Sequence, residues 1–141
     1  IVVTGEQDIS TMVESIIEKK LHENSFPVSN IEETLSVLTR YGRYDIPLHA
    51  LQNHKLNAHI LLFVKVDTTG IEPLEYYGRI TGQYFSTITL KLIDITTNNI
   101  ITTRVNSAKY TQRNMRDNIQ EVTEQMLTEI PKEIENFWNT K

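Results

Sequence analysis

The stretch YFSTITLKLIDITTNNIITTRV, residues 84–105, decides the fold that this sequence predicts. Apolar and polar side chains alternate along its first half: Ile88, Leu90 and Leu92 against Thr87, Thr89 and Lys91. Side chains alternate across a β-strand, so this stretch predicts a strand with one buried face and one face open to water or a partner. Asn98 and Asn99 tolerate the positive φ angles of a tight turn, and they predict a hairpin to a second strand over residues 100–110.

The residues before the sheet predict three helices. Apolar side chains at helical spacing from Ile9 to Leu21 predict the first helix, with Asp8 as its N-cap. The second helix is predicted to begin at Asn30, which resembles the start of a capping box. A third, shorter helix is predicted to begin near Asp45.

Residues 60–66, ILLFVKV, are apolar except for Lys65 and predict a central strand that is covered on both sides. Gly70 and Pro73 then predict a loop over residues 67–74. After the hairpin, residues 115–138 carry a long helical stripe of apolar side chains. Pro131 should kink that helix or start a new one, because the proline ring clashes with the carbonyl group four residues earlier.

The order of the elements predicts an α+β protein, with a mixed, mostly antiparallel sheet and helices packed on one face. The length of 141 residues predicts a single domain over residues 1–141. The chain begins at Ile1 and not at Met, which we interpret as a mature fragment or excised domain that has lost a signal peptide or lipid anchor. No apolar run approaches the ~20 residues of a transmembrane helix.

Composition and motifs argue against catalysis. The chain has no cysteine, which excludes thiol nucleophiles and disulfides. His49, His54 and His59 recur every five residues, whereas two metal ligands on one helix face need a spacing of three or four. No nucleophile motif or phosphate-binding glycine loop is present, and acidic pairs such as Glu72 and Glu75 are explained as solvated. We therefore predict no enzyme activity, no cofactor and no metal site.

Partner binding is the better hypothesis. Two short clusters combine Arg with Tyr, residue types that are enriched at interface hot spots and that also stack on single-stranded nucleic acid. The alternative is that the tyrosines close the edge of the core and the arginines are solvated. At the chain end, apolar partners run out, so the last aromatic residues could pack on another chain. The candidate partner-binding residues are Arg40, Tyr41, Arg43, Tyr44, Tyr76, Tyr77, Arg79, Phe137 and Trp138.

Threonines on the hairpin form a further candidate surface. Thr87, Thr89, Thr102 and Thr103 are interpreted as one threonine-rich face, either solvated or in contact with a second sheet or an added strand. The net charge of −4, with dispersed Lys and Arg, argues against a general nucleic-acid partner, because phosphate binding needs clustered positive charge.

Three segments resemble a family of bacterial cell-envelope domains that includes the TolB N-terminal domain, CsgG, LpoB and the FlgT middle domain. The first helix with the following FPVSN is similar to the family's first helix and second strand. NAHILLFVKV, residues 57–66, is similar to its Gly-Ala-Asp strand entry, with Asn57 and His59 in the Gly and Asp positions. FSTITLKLIDITTNNIITTRV looks like its hairpin, with Asp94 in the aspartate position.

The resemblance implies a non-enzymatic protein of the periplasm, or of the periplasmic side of the outer membrane. Such a protein binds other envelope proteins as an assembly or regulatory module. Its one expected link to the membrane is a lipid anchor, if one preceded Ile1 and was removed. The resemblance leaves open whether the chain forms a homo-oligomer. Two alternatives also remain at this stage, namely a nucleic-acid-binding α+β domain and a small hydrolase.

Overall fold

A mixed four-stranded sheet is the centre of the fold in the computed structural model. The structure describes residues 1–28, 46–52, 58–76, 79–111 and 114–139. The strands lie side by side in chain order: β1 (Val2–Gly5), β2 (Ile60–Tyr76), β3 (Arg79–Asp94) and β4 (Ile100–Tyr110). β1 runs parallel to β2, and the β2–β3 and β3–β4 pairs are antiparallel. The predicted α+β class, with a mixed and mostly antiparallel sheet, is confirmed.

Most of the described helices pack on one face of this sheet, as predicted, and one short helix packs on the other face. The predicted helix that begins at Asn30 lies outside the described residues. The described residues form α1 (Gln7–Glu23), α2 (Leu48–Gln52), α3 (Met115–Leu127) and α4 (Ile130–Asn139). The N-cap of α1 is Glu6 and not the predicted Asp8, because the Glu6 carboxylate accepts hydrogen bonds from the backbone amides of Asp8 and Ile9 at 3.3 and 2.9 Å. Pro131 lies in the first turn of α4, where its missing N–H costs little, so the predicted break is confirmed.

The main core lies between one face of the sheet and the helices α1, α3 and α4. Alternate residues of β3 point into it, and Ile88, Leu90 and Leu92 are at most 1% exposed. Ile17 of α1 and Ile119 of α3 are fully buried opposite them. On the other face of β3, the side chains of Thr87, Thr89 and Lys91 are partly exposed. The alternation of apolar and polar residues along β3 therefore reflects one buried face and one partly exposed face.

A second, smaller cluster lies on the opposite face of the sheet. The short helix α2 contributes Leu51, which packs with Phe63 of β2 and Ile93 of β3. The central run of β2 is thus covered on both sides, as its near-continuous apolar sequence predicted. The end of β3 at Ile93 is also buried on both faces. The face of β3 that is not covered by α1, α3 and α4 is therefore exposed only from Lys91 towards the start of the strand.

The predicted loop over residues 67–74 is wrong, because β2 continues through it to Tyr76. Residues 67–76 pair with residues 79–87 of β3, with a register shift between Thr68 and Gly70, and we call this extension the β2–β3 ribbon. β1 reaches only as far as Val66, so beyond that residue β3 is the one described partner of β2. A strand with a free edge tolerates proline, and Pro73 is therefore compatible with the ribbon.

Candidate functional site

The predicted partner-binding residues do not form one surface in the described chain. Tyr76 and Arg79 pair with each other at the far end of the β2–β3 ribbon, and nothing is described of their side chains. Phe137 and Trp138 lie on α4, beside the start of β2. At 3.3 Å per residue along β2, that start is roughly 50 Å from Tyr76. The remaining candidates lie outside the described residues: Arg40, Tyr41, Arg43, Tyr44 and Tyr77. Partner binding at these residues stays a prediction.

Trp138 is the most exposed aromatic side chain that the structure describes in this group. It is 44% exposed, and its ring meets the His59 ring edge-on at a centroid distance of 4.9 Å. The Phe137 ring also contacts the indole edge-on, at a centroid distance of 5.9 Å. The His59 carbonyl accepts a hydrogen bond from the Ile95 amide at 3.2 Å, which ties the residue before β2 to the turn after β3.

These two rings stand at the edge of a cavity of about 520 Å³, which we call the apolar pocket. Among the described residues that line it, only His59 and Trp138 have polar atoms in their side chains. The inner lining is well buried, at 4% exposure for Leu62, 0% for Leu92 and 7% for Ile134. The full lining is Ile1, Leu21, Phe26, Pro27, Val28, Ala58, His59, Ile60, Leu61, Leu62, Leu92, Ile95, Ile134 and Trp138.

The chain forms one wall of the pocket by folding back at the end of α1. Asn24 caps the helix, and Ser25 adopts a positive φ of 62°. The Phe26 amide then donates to the Leu21 carbonyl at 3.0 Å, which brings residues 26–28 beside the last turn of the helix. The other walls come from the start of β2, the end of β3 and α4.

Sequence reasoning missed this pocket, because its lining residues are far apart along the chain and no local spacing marks them. In the sequence, His59 was considered as a metal ligand and as the residue in the Asp position of the strand entry, but not as a pocket residue. In the ranges that the structure describes, no group of three or more His, Cys, Asp or Glu side chains is placed to hold a metal ion. His59 instead contributes the polar edge of an otherwise apolar pocket.

The edge strand β4 forms a second candidate surface. Among the described strands, β4 pairs only with β3, so no described strand covers its outer edge, which we call the open edge. Val105 is 63% exposed at the middle of the strand, and Ile100 is 51% exposed at its start. We call the uncovered side of β3 and β4 the open face, and its residues are Phe85, Thr87, Thr89, Lys91, Thr103, Val105, Ser107 and Lys109.

Thr102 does not belong to the open face, so the predicted face of four threonines is wrong. Consecutive residues of a strand point to opposite sides, and Thr102 and Thr103 are consecutive. Thr102 pairs with Leu92 and lies on the helix-covered side, whereas Thr103 pairs with Lys91. On the open face itself, the Thr87 and Ser107 hydroxyls lie 3.3 Å apart, and the Lys109 ammonium lies 4.9 Å from the centre of the Phe85 ring.

Polar contacts hold the helix-covered side of β4 in place. The Arg104 guanidinium donates to the Glu133 carboxylate of α4 at 2.8 Å, and the Asn106 amide donates to Gln125 of α3 at 3.4 Å. At the end of the strand the buried Tyr110 hydroxyl lies 2.6 Å from the Ser86 hydroxyl. These contacts fix β4 on one side while its edge and open face stay accessible.

Comparison with known proteins places the fold but not the role. No protein-family model matches the sequence, and no curated protein does. Among solved structures, the chain is similar to the lipoprotein GNA1162 from Neisseria meningitidis, with a TM-score of 0.54 and 10% identity over 96% of this chain and 93% of that chain. At this identity the likeness shows a shared fold alone.

Two further solved structures are similar with lower scores. The hypothetical protein CT253 from Chlamydia trachomatis gives a TM-score of 0.49 and 11% identity, over 91% of this chain and 88% of that chain. Protein XCC0632 from Xanthomonas campestris, of family DUF330, gives 0.27 and 15% identity, over 55% of this chain and 44% of that chain. Neither score is high enough to support an argument. Within the described ranges, no helix combines the length and apolar content that crossing a bilayer requires.

Proposed function

We propose that this chain is a non-enzymatic bacterial envelope protein that binds other envelope proteins as an assembly or regulatory module. Its place would be the periplasm or the periplasmic side of the outer membrane. Two observations support the location: the fold shared with a bacterial lipoprotein, and the sequence resemblance to the TolB N-terminal domain, CsgG, LpoB and the FlgT middle domain. The nucleic-acid-binding and hydrolase alternatives gain no supporting observation from the described residues.

The open edge of β4 is the observation that carries the binding role. Edge strands of monomeric proteins are usually blocked by proline, by a central lysine or by extreme shortness. β4 is 11 residues long, has no proline, and presents Val105 at its centre between Thr103 and Ser107. An extended segment of a partner could therefore add to the sheet through main-chain hydrogen bonds, with Val105 as an apolar contact.

The charge of the open face indicates which segments would pair best. Lys109 is the charged side chain that β4 itself places on the open face; Lys91 lies on the neighbouring β3, and Asp67 lies further away on β2. Like charges that face each other across a sheet are destabilising, whereas opposite charges are favourable. A partner strand with acidic residues flanking an apolar centre therefore fits this edge better than a basic one.

Site-specific photo-crosslinking in the source cells tests the proposed function. With a photoreactive residue at Thr103 of β4, we expect crosslinks to envelope proteins, and with the same residue at the exposed Ser15 of α1 we expect none. Equal labelling from both positions, or crosslinks to cytosolic proteins alone, would contradict the proposal. Cell fractionation checks the location independently, since recovery of the protein solely from the cytosol would contradict it.

The substitution Val105→Lys should weaken the crosslink from Thr103. Lysine in the centre of an edge strand opposes pairing, because its ammonium must stay hydrated. We expect roughly a tenfold loss of binding, the factor that corresponds to about 1.4 kcal/mol. Val105 is 63% exposed, so the free protein should keep its stability. Ser15→Lys adds the same charge on α1 and should leave the crosslink unchanged.

A further inference from the structure

The backbone of β4 directs the amides and carbonyls of Thr103, Val105 and Ser107 towards the open edge. The Thr87 and Ser107 hydroxyls lie 3.3 Å apart, a close approach that is typical of a non-hydrogen-bonded pair of an antiparallel ladder. In such a pair the backbone groups of Ser107 point away from β3. The Ser107 amide accordingly donates to the Asn106 side chain at 2.9 Å. Because the direction alternates along a strand, Thr103 and Val105 point outwards in the same way.

The position of Val105 allows β4 to pair with a second copy of itself. The strand has 11 residues, Ile100–Tyr110, and Val105 is the middle one. A two-fold axis at Val105, perpendicular to the sheet, therefore overlaps two antiparallel β4 strands over their whole length and keeps the helices of both copies on one side. Val105 then lies opposite Val105 of the second copy, and Thr103 lies opposite Ser107. Each of these facing residues has its backbone groups directed at the other strand.

Charge favours this register over its neighbours. The charged side chains of β4 are Arg104 and Lys109, and both are basic. A shift by two residues in one direction places Arg104 opposite Arg104, which is destabilising, and a shift in the other direction separates the two Val105 side chains. In the centred register Arg104 lies opposite Asn106, and the two Lys109 side chains lie at opposite ends of the paired strands. An acidic partner strand gains attraction at Lys109, whereas a second copy avoids repulsion there.

We propose that two copies of this chain pair antiparallel through β4 about a two-fold axis at Val105. The pairing joins two four-stranded sheets into one sheet of eight strands, and the same surface serves both copies. It removes two Val105 side chains from water, each of which is 63% exposed in the single chain. The proposal names a partner for the open edge that carries the proposed function, and it rests on that function.

The Ser107 amide indicates that this pairing is reversible. In the single chain the amide already has an acceptor, the Asn106 side chain. In the pair it would donate to the Thr103 carbonyl of the second copy, so one acceptor replaces another. An exchange of hydrogen-bond partners contributes only modestly to the free energy of association. We therefore expect monomer and dimer to interconvert with protein concentration.

Single cysteine variants test the pairing, because the sequence has no cysteine. Facing residues of a hydrogen-bonded antiparallel pair have Cα atoms about 5.5 Å apart, within the range of about 4.4–6.8 Å that a disulfide spans. Under mild oxidation Val105→Cys should form a disulfide dimer at least about tenfold faster than Ser15→Cys on the exposed side of α1, because pairing raises the effective thiol concentration. Equal rates for these two variants would overturn the proposal.

The exposed residues on either side of Val105 test the register. Thr103 lies four residues from Thr103 of the second copy, about 13 Å at 3.3 Å per residue, which is too far for a disulfide. Thr103→Cys and Ser107→Cys should therefore crosslink slowly by themselves and rapidly when the two variants are mixed. Self-crosslinking of Thr103→Cys as fast as that of Val105→Cys would contradict the proposed axis.

Sedimentation equilibrium of the unmodified chain provides the test without substitutions. We expect the dimer fraction to rise with concentration. A pure monomer up to about 1 mM protein, which limits the association to less than about 4 kcal/mol, would overturn the proposal. If Thr103 of that monomer still photo-crosslinks to envelope proteins in cells, the proposed function stands without the dimer. Photo-crosslinks to a second copy alone would support the dimer and contradict the binding of other envelope proteins.

Discussion

The substitution Gly5→Ala should destabilise the protein by about 3 kcal/mol or more, a large part of the roughly 5–15 kcal/mol by which native domains are stable. Gly5 has a φ of +116°, a conformation that residues with a Cβ rarely adopt. A Cβ built there would overlap the carbonyl oxygen of Val66 and lie 2.8 Å from its carbonyl carbon. Both atoms belong to the β2 backbone, which cannot move aside as a flexible side chain could.

The position of Gly5 explains why this strain cannot relax locally. Gly5 pairs with Val66 in the last step of the parallel β1–β2 ladder, and α1 begins two residues later. Separating the strands at this point would also displace α1 from the main core. Urea denaturation checks the prediction through the free energy of unfolding. An unfolding midpoint equal to that of the unmodified protein would show that Gly5 has no special role.

Ser25→Gly is the matched control for backbone conformation. Ser25 is exposed and has a φ of 62°, so glycine would relieve strain in the folded chain while increasing the entropy of the unfolded chain. These two effects oppose each other, and we expect a net change within about 1 kcal/mol. Comparing the two substitutions separates backbone strain from steric overlap, because a Cβ at Gly5 would overlap backbone atoms of Val66, whereas Ser25 already carries a Cβ.

Local patterns in the sequence predicted the parts of the fold that local physics determines. The alternation from Thr87 to Leu92 follows from strand geometry, and the break before Pro131 follows from a missing amide and a rigid ring. The loop predicted around Gly70 and Pro73 was wrong because tertiary pairing overrode local propensity. Across the ribbon, β3 supplies a continuous partner, and a register shift at Gly70 absorbs the irregularity.

The candidate site was harder to predict, because its parts meet only in the folded chain. The apolar pocket joins the first residue, the end of α1, two strands and α4, and none of these segments is unusual by itself. Trp138 was predicted as a contact residue from its place at the chain end. The sequence could not show that its neighbour would be His59, 79 positions earlier. The open edge of β4 likewise depends on strand order, which hairpin signals alone do not determine.

Alanine substitutions at Leu92 and Ile93 should each cost about 2–5 kcal/mol, although the two residues are adjacent and point to opposite faces. Leu92 is 0% exposed in the main core, and Ile93 is 1% exposed in the smaller cluster with Leu51. Val105→Ala on the same sheet should cost no more than about 1 kcal/mol, because Val105 is 63% exposed. Urea denaturation of the three variants provides the comparison.

The contrast among these variants tests how the sheet is covered. If helices protected only one face, Ile93 would contact water, and its alanine variant would resemble Val105→Ala and not Leu92→Ala. A large cost at both adjacent positions requires apolar contacts on both sides of β3, which α2 supplies on the side opposite α1. The open face would then begin after Ile93, at Lys91, which is the next residue of β3 on the same side. The surface for a partner strand would therefore be confined to the part of β3 and β4 that α2 does not cover.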